Sequence, residues 1–220
     1  MLTYERDPEA IYRSSFATIQ REVDFAKFPE AMHAVVERVV HASGQPEMAD
    51  RLAFSDDAAE SGMRALKGGA PIFVDVEMVR SGIIRRFLPA DNAVECTLYD
   101  PRTREVAAQI GNTRSAAAVE LWKDRLEGAV VAIGNAPTAL FHLLEIVLAG
   151  GPKPALIVGV PVGFVGAAES KHALETLEHG VPFITLRGRP GGSSLAAATL
   201  NALSKQTKDP VVGTAGAGGT

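Results

Sequence analysis

The chain predicts an α/β fold of three layers: a mostly parallel central sheet with helices on both faces, flavodoxin/Rossmann-like in type. The main observation is a pattern that occurs three times in the second half: an apolar strand, a turn rich in glycine and proline, and a helix. The strands are residues 129–133, 155–160 and 181–186. They do not alternate polar and apolar residues, which indicates parallel strands buried on both faces.

The turns after these strands predict where a ligand binds. They cover residues 134–138, 161–166 and 188–194. In parallel sheets of this type, ligands bind at the carboxyl ends of the strands. Small residues there leave backbone N–H groups accessible, and such groups attract anions. We therefore expect a large anionic ligand to lie against these turns.

The composition indicates one domain and excludes several classes of protein. With 220 residues, 46% of them hydrophobic, we expect a single α/β catalytic domain over residues 1–204. The net charge of −4 gives no indication of a nucleic-acid partner. The single cysteine, Cys96, excludes an internal disulfide and a cysteine-rich metal site. We find no signal peptide or membrane-spanning segment, and so expect a cytoplasmic protein.

Helix signals dominate the first part of the chain. Asp7-Pro8 provides an N-cap and a proline at the first helical position, which predicts a helix to about Glu22. A second helix is predicted from Pro29 to the glycine at position 44, with apolar residues at helical spacing. Ser55 is the predicted cap of a third helix over residues 56–67.

The remaining elements complete the predicted domain. Two further strands are expected at residues 71–75 and 94–98, and a helix at 115–126. The last helix is expected to end near Leu203. Residues 205–220 are polar and then rich in Gly, Ala and Thr, and this composition predicts a disordered tail.

Several familiar catalytic motifs are missing from the sequence. It contains no Walker-type phosphate loop, no G-x-G-x-x-G after an early strand, no H-E-x-x-H and no G-x-S-x-G. The five histidines are scattered, so we expect no metal site. Phosphoryl transfer, hydride transfer and hydrolysis therefore lack their usual residues.

Among the five histidines, His41 is the main candidate for a proton donor. It lies in the last turn of the predicted second helix, where backbone carbonyls favour an imidazolium able to donate a proton. Arg38, three residues earlier on the same face, could hold an anionic group beside it. The alternative is that His41 only caps its helix and Arg38 is solvated. His179, also at a predicted helix end, competes on the same grounds.

Two other groups of residues are candidates for ligand binding. Thr113 and Arg114 lie at a helix start in the segment Gly-Asn-Thr-Arg-Ser, where hydroxyl, guanidinium and free N–H groups attract anions. The alternative is ordinary capping by Thr113, with Arg114 in solvent. Ser14 and Ser15 are adjacent serines inside a helix, which is unfavourable enough that one of them is a candidate ligand contact. The equally good alternative is that both serines occupy exposed positions without a function.

Four segments resemble a known family. They are Arg-Val-Val-His at 38–41, Gly-Asn-Thr-Arg-Ser at 111–115, Ile-Gly-Asn-Ala-Pro-Thr-Ala-Leu-Phe at 133–141 and Pro-Val-Gly-Phe-Val-Gly-Ala-Ala-Glu-Ser-Lys at 161–171. Together they are similar to precorrin-8X methylmutase, the precorrin isomerase of cobalamin biosynthesis. The resemblance extends from about Tyr4 to Leu203 and leaves only the predicted tail outside.

The resemblance implies a reaction and roles for residues. A methyl group moves from C-11 to C-12 of ring C in a 1,5-sigmatropic shift, which converts precorrin-8X to hydrogenobyrinate without a cofactor. By resemblance, His41 protonates the ring C nitrogen, Ser15 and Arg38 bind the substrate, and a loop with Thr113 and Arg114 lines the same pocket. The substrate is a wide macrocycle with several carboxylates.

The resemblance also implies a homodimer with active sites near the subunit interface. Residues 178–183 and 187–189 resemble the enzymes of the aerobic branch, whose substrate is metal-free, more than those of the anaerobic branch, whose substrate contains cobalt. The alternatives are a non-catalytic corrinoid carrier, a cobalt-precorrin-8 methylmutase and a nucleotide-dependent α/β enzyme.

Overall fold

A computed structural model of the chain describes residues 2–208. Its centre is a six-stranded sheet with the strand order β1-β6-β5-β4-β2-β3. The strands are β1 Leu52–Phe54, β2 Ile72–Val74, β3 Val94–Cys96, β4 Val130–Ile133, β5 Leu156–Gly159 and β6 Phe183–Leu186. β2 to β6 are parallel, and β1 pairs antiparallel with β6 at one edge.

The order of the five parallel strands is the flavodoxin order, so the predicted fold class is confirmed. The chain runs from β2 outwards to β3 and then returns to β4 on the other side of β2. The connections therefore change direction between β2 and β4, and a crevice is expected at their carboxyl ends. The three-residue edge strand β1 was not predicted.

Ten α-helices surround the sheet in residues 2–208. They are α1 Pro8–Glu22, α2 His33–Ser43, α3 Met48–Arg51, α4 Ala58–Lys67, α5 Glu77–Gly82, α6 Thr103–Ile110, α7 Arg114–Glu120, α8 Pro137–Leu148, α9 Ala167–Thr176 and α10 Ser193–Lys208. Residues of α2, α4 and α10 pack on one face of the sheet, and residues of α7, α8 and α9 pack on the other. None of these helices is long and apolar enough to cross a membrane.

Adjacent strand residues belong to two separate cores. Ile72, Val130 and Leu156 face one core, while their neighbours Phe73 and Val131 face the other. All five side chains are fully buried. Burying a side chain of this size stabilises the fold by about 1.5–3 kcal/mol. The strands therefore lack alternating polar residues because both faces of the sheet are covered.

The signals that start the first helix and end the second helix are confirmed. Asp7 caps α1 by accepting a 3.0 Å hydrogen bond from the N–H of Glu9. Gly44 ends α2 with φ of 66°, a left-handed conformation that glycine adopts without strain. The second helix begins later than predicted: Glu30–Met32 form a separate 3₁₀ turn before it.

The start of the third predicted helix and the end of the helix predicted at 115–126 were also wrong. Ser55 does not cap α4, because its hydroxyl accepts a hydrogen bond from Phe183 N–H and so belongs to the β1–β6 pairing. The helix predicted at 115–126 is shorter: α7 ends at Glu120, and the chain then turns at the buried Trp122. The indole N–H of Trp122 donates to the Thr97 hydroxyl at 2.8 Å, which holds this turn on the sheet.

The last helix is longer than predicted. It continues to Lys208, so residues 205–208, assigned by sequence to the tail, are helical. Gln206 donates to the carbonyl of Ala31 at 3.2 Å, and Lys208 donates to the carbonyl of Arg86 at 2.7 Å. These long-range bonds order a segment whose polar composition suggested disorder. Residues 209–220 of the predicted tail lie outside the described residues.

Candidate active site

His41 and Ser15 lie together, as the resemblance implies. The Ser15 hydroxyl lies 3.0 Å from Nδ1 of His41, across the contact between α1 and α2. Phe16 stacks on the imidazole with ring centroids 5.0 Å apart and an angle of 12° between the planes. Within residues 2–208, Nε2 of His41 has no hydrogen-bond partner, and the side chain is exposed. The arrangement fixes the ring and leaves one nitrogen accessible to a ligand.

Arg38 also contacts the ring of Phe16. Its guanidinium donates to the hydroxyl of Tyr12. Its Cζ lies 5.3 Å from the Tyr12 ring centroid and 5.1 Å from that of Phe16, a typical cation–π distance. These contacts hold the guanidinium in one place and leave N–H groups free to bind an anion.

A cleft of about 670 Å³ opens beside His41, between α1 and the C-terminal end of α2. Ser14, Ser15 and Thr18 line it from α1, and His41 and Gly44 line it from α2. Its volume is in the range of small-molecule sites. Three hydroxyl groups, one imidazole and the carboxylates of Glu5 and Glu22 provide the polar side chains of the wall.

The C-terminal end of α2 lies at the carboxyl edge of the sheet, where the sequence predicts the ligand. Ala42 and Ser43 line a smaller cleft, of about 300 Å³, together with Val162, Pro190 and Ser194. The last three residues belong to the turns after β5 and β6 and to the start of α10. His41 therefore lies beside these turns, although its helix precedes the whole sheet in sequence.

Thr113 and Arg114 lie in a second group near the crevice between β2 and β4. Thr113 caps α7 by accepting from the N–H of Ala116 at 3.2 Å, and its hydroxyl is 2.8 Å from that of Thr138, just after β4. Arg114 lies over the exposed ring of Tyr99 at 5.7 Å. In residues 2–208, no hydrogen bond or ring contact joins these two residues to His41.

Asp75 is an important residue that the sequence analysis did not identify. Its buried carboxylate accepts hydrogen bonds from the N–H groups of Gly134, Asn135 and Ala136 at 3.0, 2.8 and 2.7 Å. Burial raises the pKa of Asp75, against the lowering effect of these donors. The N–H groups of this turn were expected to be free for a ligand, and that expectation was wrong. An acidic residue directly after a buried strand was the available signal.

The competing histidine, His179, has a structural role. It is buried, its Nε2 is 2.7 Å from the carbonyl of Leu174, and its Nδ1 accepts from the N–H of Val181 at 3.2 Å. Both ring nitrogens are thus used by the backbone. His179 is therefore no longer an equal candidate with His41 for the role of proton donor.

Lys171 is a buried cation next to the turn after β6. Its ammonium donates to the carbonyl of Pro190. Burial, with a contribution from nearby Arg51, lowers the pKa of Lys171 to about 8. The same turn is tightly packed, since a Cβ on Gly191 would lie 2.3 Å from the carbonyl oxygen of Val160. Lys171 therefore helps to hold one wall of the carboxyl edge.

Fold and site together define a class: an α/β protein with a cleft of small-molecule size between α1 and the end of α2, and an accessible histidine in the wall of this cleft. Comparison with known proteins identifies the family. The family model for precorrin-8X methylmutase matches residues 10–206. The chain belongs to this family, as the sequence resemblance predicted.

Relatives and solved structures agree with this assignment. The chain is 57% identical over 202 residues to precorrin-8X methylmutase of Sinorhizobium sp., covering 92% of this chain and 96% of the relative. It is 52% identical to the precorrin-8X methylmutase of Pseudomonas aeruginosa, and the match covers 94% of this chain and 99% of the relative. It is 43% identical to the cobalt-precorrin-8 methylmutase of Methanocaldococcus jannaschii, covering 83% of each. A crystal structure of precorrin-8X methylmutase from Thermus thermophilus superposes with a TM-score of 0.82 at 38% identity. The superposition covers 91% of this chain and 97% of the other.

Methylmutases are isomerases, so the predicted enzyme class is confirmed. The roles of His41, Ser15, Arg38, Thr113 and Arg114 stay predictions. The structure brings the first three together through α1 and α2, and it places the last two in the other group.

Proposed function

We propose that this protein converts precorrin-8X to hydrogenobyrinate by moving a methyl group from C-11 to C-12 of ring C. Family membership supports the reaction. The higher identity to the two precorrin-8X enzymes than to the cobalt-precorrin-8 enzyme supports the metal-free substrate. The observation that carries the proposal is His41, held by Ser15 and Phe16, with Nε2 accessible in an open cleft.

His41 acts as a general acid in this proposal. In the imidazolium, Nδ1–H donates to the Ser15 hydroxyl, and Nε2–H is free to donate to the ring C nitrogen. The C-11–methyl bond then breaks as the C-12–methyl bond forms. The reaction is an isomerisation, so the proton on the ring nitrogen returns to Nε2 at the end. General-acid catalysis of this kind contributes roughly 10²–10⁴ in rate.

The other site residues bind and orient the macrocycle. Arg38 binds a carboxylate of the substrate, because its guanidinium is already fixed by Tyr12 and Phe16. Thr113 and Arg114 bind a different part of the same ring. Their position beside the crevice between β2 and β4 supports this, since the end of α2 is also at the carboxyl edge.

We further propose a cytoplasmic homodimer that uses no cofactor and binds no nucleic acid. Phe164 and Val165, in the turn after β5, are 85% and 88% exposed. Large apolar side chains this exposed often mark a protein interface. Sedimentation analysis tests the dimer: the proposal requires a mass of twice the 23.2 kDa chain.

The decisive experiment is to incubate the purified protein with precorrin-8X and to follow the absorption spectrum. We expect conversion to the spectrum of hydrogenobyrinate by the wild type. The variant His41→Ala should abolish turnover while it retains most of the binding. His172→Ala, which removes an exposed histidine on α9, is the matched control and should leave turnover unchanged. Retained turnover in His41→Ala would refute the assigned role.

The same experiment tests the alternatives. A corrinoid carrier binds precorrin-8X without a spectral conversion, and His41→Ala then changes only affinity. A nucleotide-dependent enzyme shows a rise in melting temperature with adenine or nicotinamide nucleotides. We expect neither result.

A further inference from the structure

A second cleft is lined by Arg38 but not by His41. It has a volume of about 210 Å³ and lies between α1, α2 and α10. Tyr12 and Arg38 line it on one side, and Lys205 and Gln206 line it on the other. The latter two belong to the end of α10, in the segment that the sequence analysis assigned to the tail.

This cleft carries positive charge. Arg38 and Lys205 both line it, and within residues 2–208 neither has an acidic partner at ion-pair distance. Glu37 is the one acidic residue in the wall, and its carboxylate also accepts a 3.0 Å hydrogen bond from Gln20. Two cations around a small cleft repel each other unless an anion lies between them. The chain as a whole has a net charge of −4, so this pair of free cations is a local feature.

The wall also contains an incomplete hydrogen-bond site. The side-chain Nε2 of Gln206 donates to Ala31, but its Oε1 is buried without a partner in residues 2–208. Buried acceptors in native proteins nearly always have a donor. The two cations that line the cleft, Arg38 and Lys205, remain the groups able to bind an anionic ligand there.

We propose that this second cleft binds a carboxylate arm of the corrinoid, with Arg38 and Lys205 as its charged partners. The inference rests on the proposed function. Arg38 and His41 each lie about 5 Å from the Phe16 ring and are therefore within about 10 Å of each other. One macrocycle can thus present ring C to His41 and reach the second cleft with a peripheral arm. Lys205 is then a substrate-binding residue that adds to Arg38.

The test is the effect of Lys205 on substrate affinity. We expect Lys205→Ala to raise the KM for precorrin-8X about 3- to 10-fold, the size typical of the net contribution of one ordinary hydrogen bond, with kcat within twofold of wild type. Lys205→Glu should raise KM further, and Lys205→Arg should restore it. Lys67→Ala, which removes an equally exposed charge at the end of α4, is the matched control and should leave KM unchanged. Added salt should raise the wild-type KM and reduce the difference between the variants.

The outcomes separate this inference from the proposed function. A KM for Lys205→Ala within twofold of both wild type and Lys67→Ala would overturn the second-cleft assignment while the methylmutase activity stands. If the wild type binds corrinoid without converting it, the Kd of hydrogenobyrinate for the same variants replaces KM and decides the question. Circular dichroism confirms that each variant is folded, which we expect because Lys205 is exposed.

Discussion

Replacing Lys171 with methionine tests how the carboxyl edge of the sheet is held together. Lys171 is only 1% exposed and places its ammonium under the turn after β6, against the carbonyl of Pro190. Methionine keeps most of the length and the apolar stem but removes the charge. The variant therefore isolates the free energy of keeping a charged group in a buried position.

The magnitude follows from the pKa of Lys171, which burial lowers from 10.5 to about 8. Each pKa unit corresponds to about 1.4 kcal/mol. Between pH 8 and 10.5 the unfolded chain binds more protons at this residue than the folded chain, so the free energy of unfolding of the wild type rises with pH. Relative to Lys171→Met, the wild type should gain about 2–3 kcal/mol from pH 7 to pH 10.

Urea denaturation of both proteins at several pH values measures this difference. We expect Lys171→Met to be at least as stable as the wild type at pH 7 and to lose that advantage by pH 10. Lys67→Met, with the lysine exposed, is the control and should follow the wild type throughout. The reasoning would be refuted if the difference in free energy of unfolding between the wild type and Lys171→Met stayed constant within about 0.5 kcal/mol over this pH range. Folding would then not be coupled to the protonation of Lys171.

Three further predictions concern the site and the turns around it. Ser15→Ala removes the hydrogen bond to His41 and should lower kcat about 2- to 10-fold in the spectral assay, whereas Ser61→Ala on α4 should not change it. Asp75→Asn leaves the N–H groups of the turn after β4 with one acceptor oxygen, and should lower the free energy of unfolding by about 2–4 kcal/mol in urea. A change under 0.5 kcal/mol contradicts the role given to this carboxylate. Gly191→Ala places a Cβ 2.3 Å from a backbone oxygen and should destabilise the fold by about 1–3 kcal/mol, while Gly68→Ala, at 3.4 Å from its nearest neighbour, serves as the mild control in a thermal melt.

Much of the site could be predicted because its signals are local or belong to long motifs. The left-handed glycine at position 44 ends α2 and so puts His41 in a last helical turn. The resemblance to the family names Ser15, Arg38, Thr113 and Arg114 as site candidates without any structure. Asp75 was missed because its function depends on backbone groups some 60 residues away in sequence. The ends of α10 and α7 were misplaced because long-range hydrogen bonds, rather than composition, decide where these helices stop.

By itself, the amino-acid sequence determines the layered α/β architecture, the family and the position of His41 at a helix end. The architecture and the helix end follow from apolar patterning, capping residues and glycine positions, which act over a few neighbouring residues, whereas the family follows from the resemblance of four longer motifs. Only the tertiary structure decides that Ser15 meets His41, that Asp75 occupies the N–H groups of a turn, and that Lys205 faces Arg38 across a cleft. The physical reason is that each of these contacts joins elements distant in sequence, and packing on the sheet sets their distance.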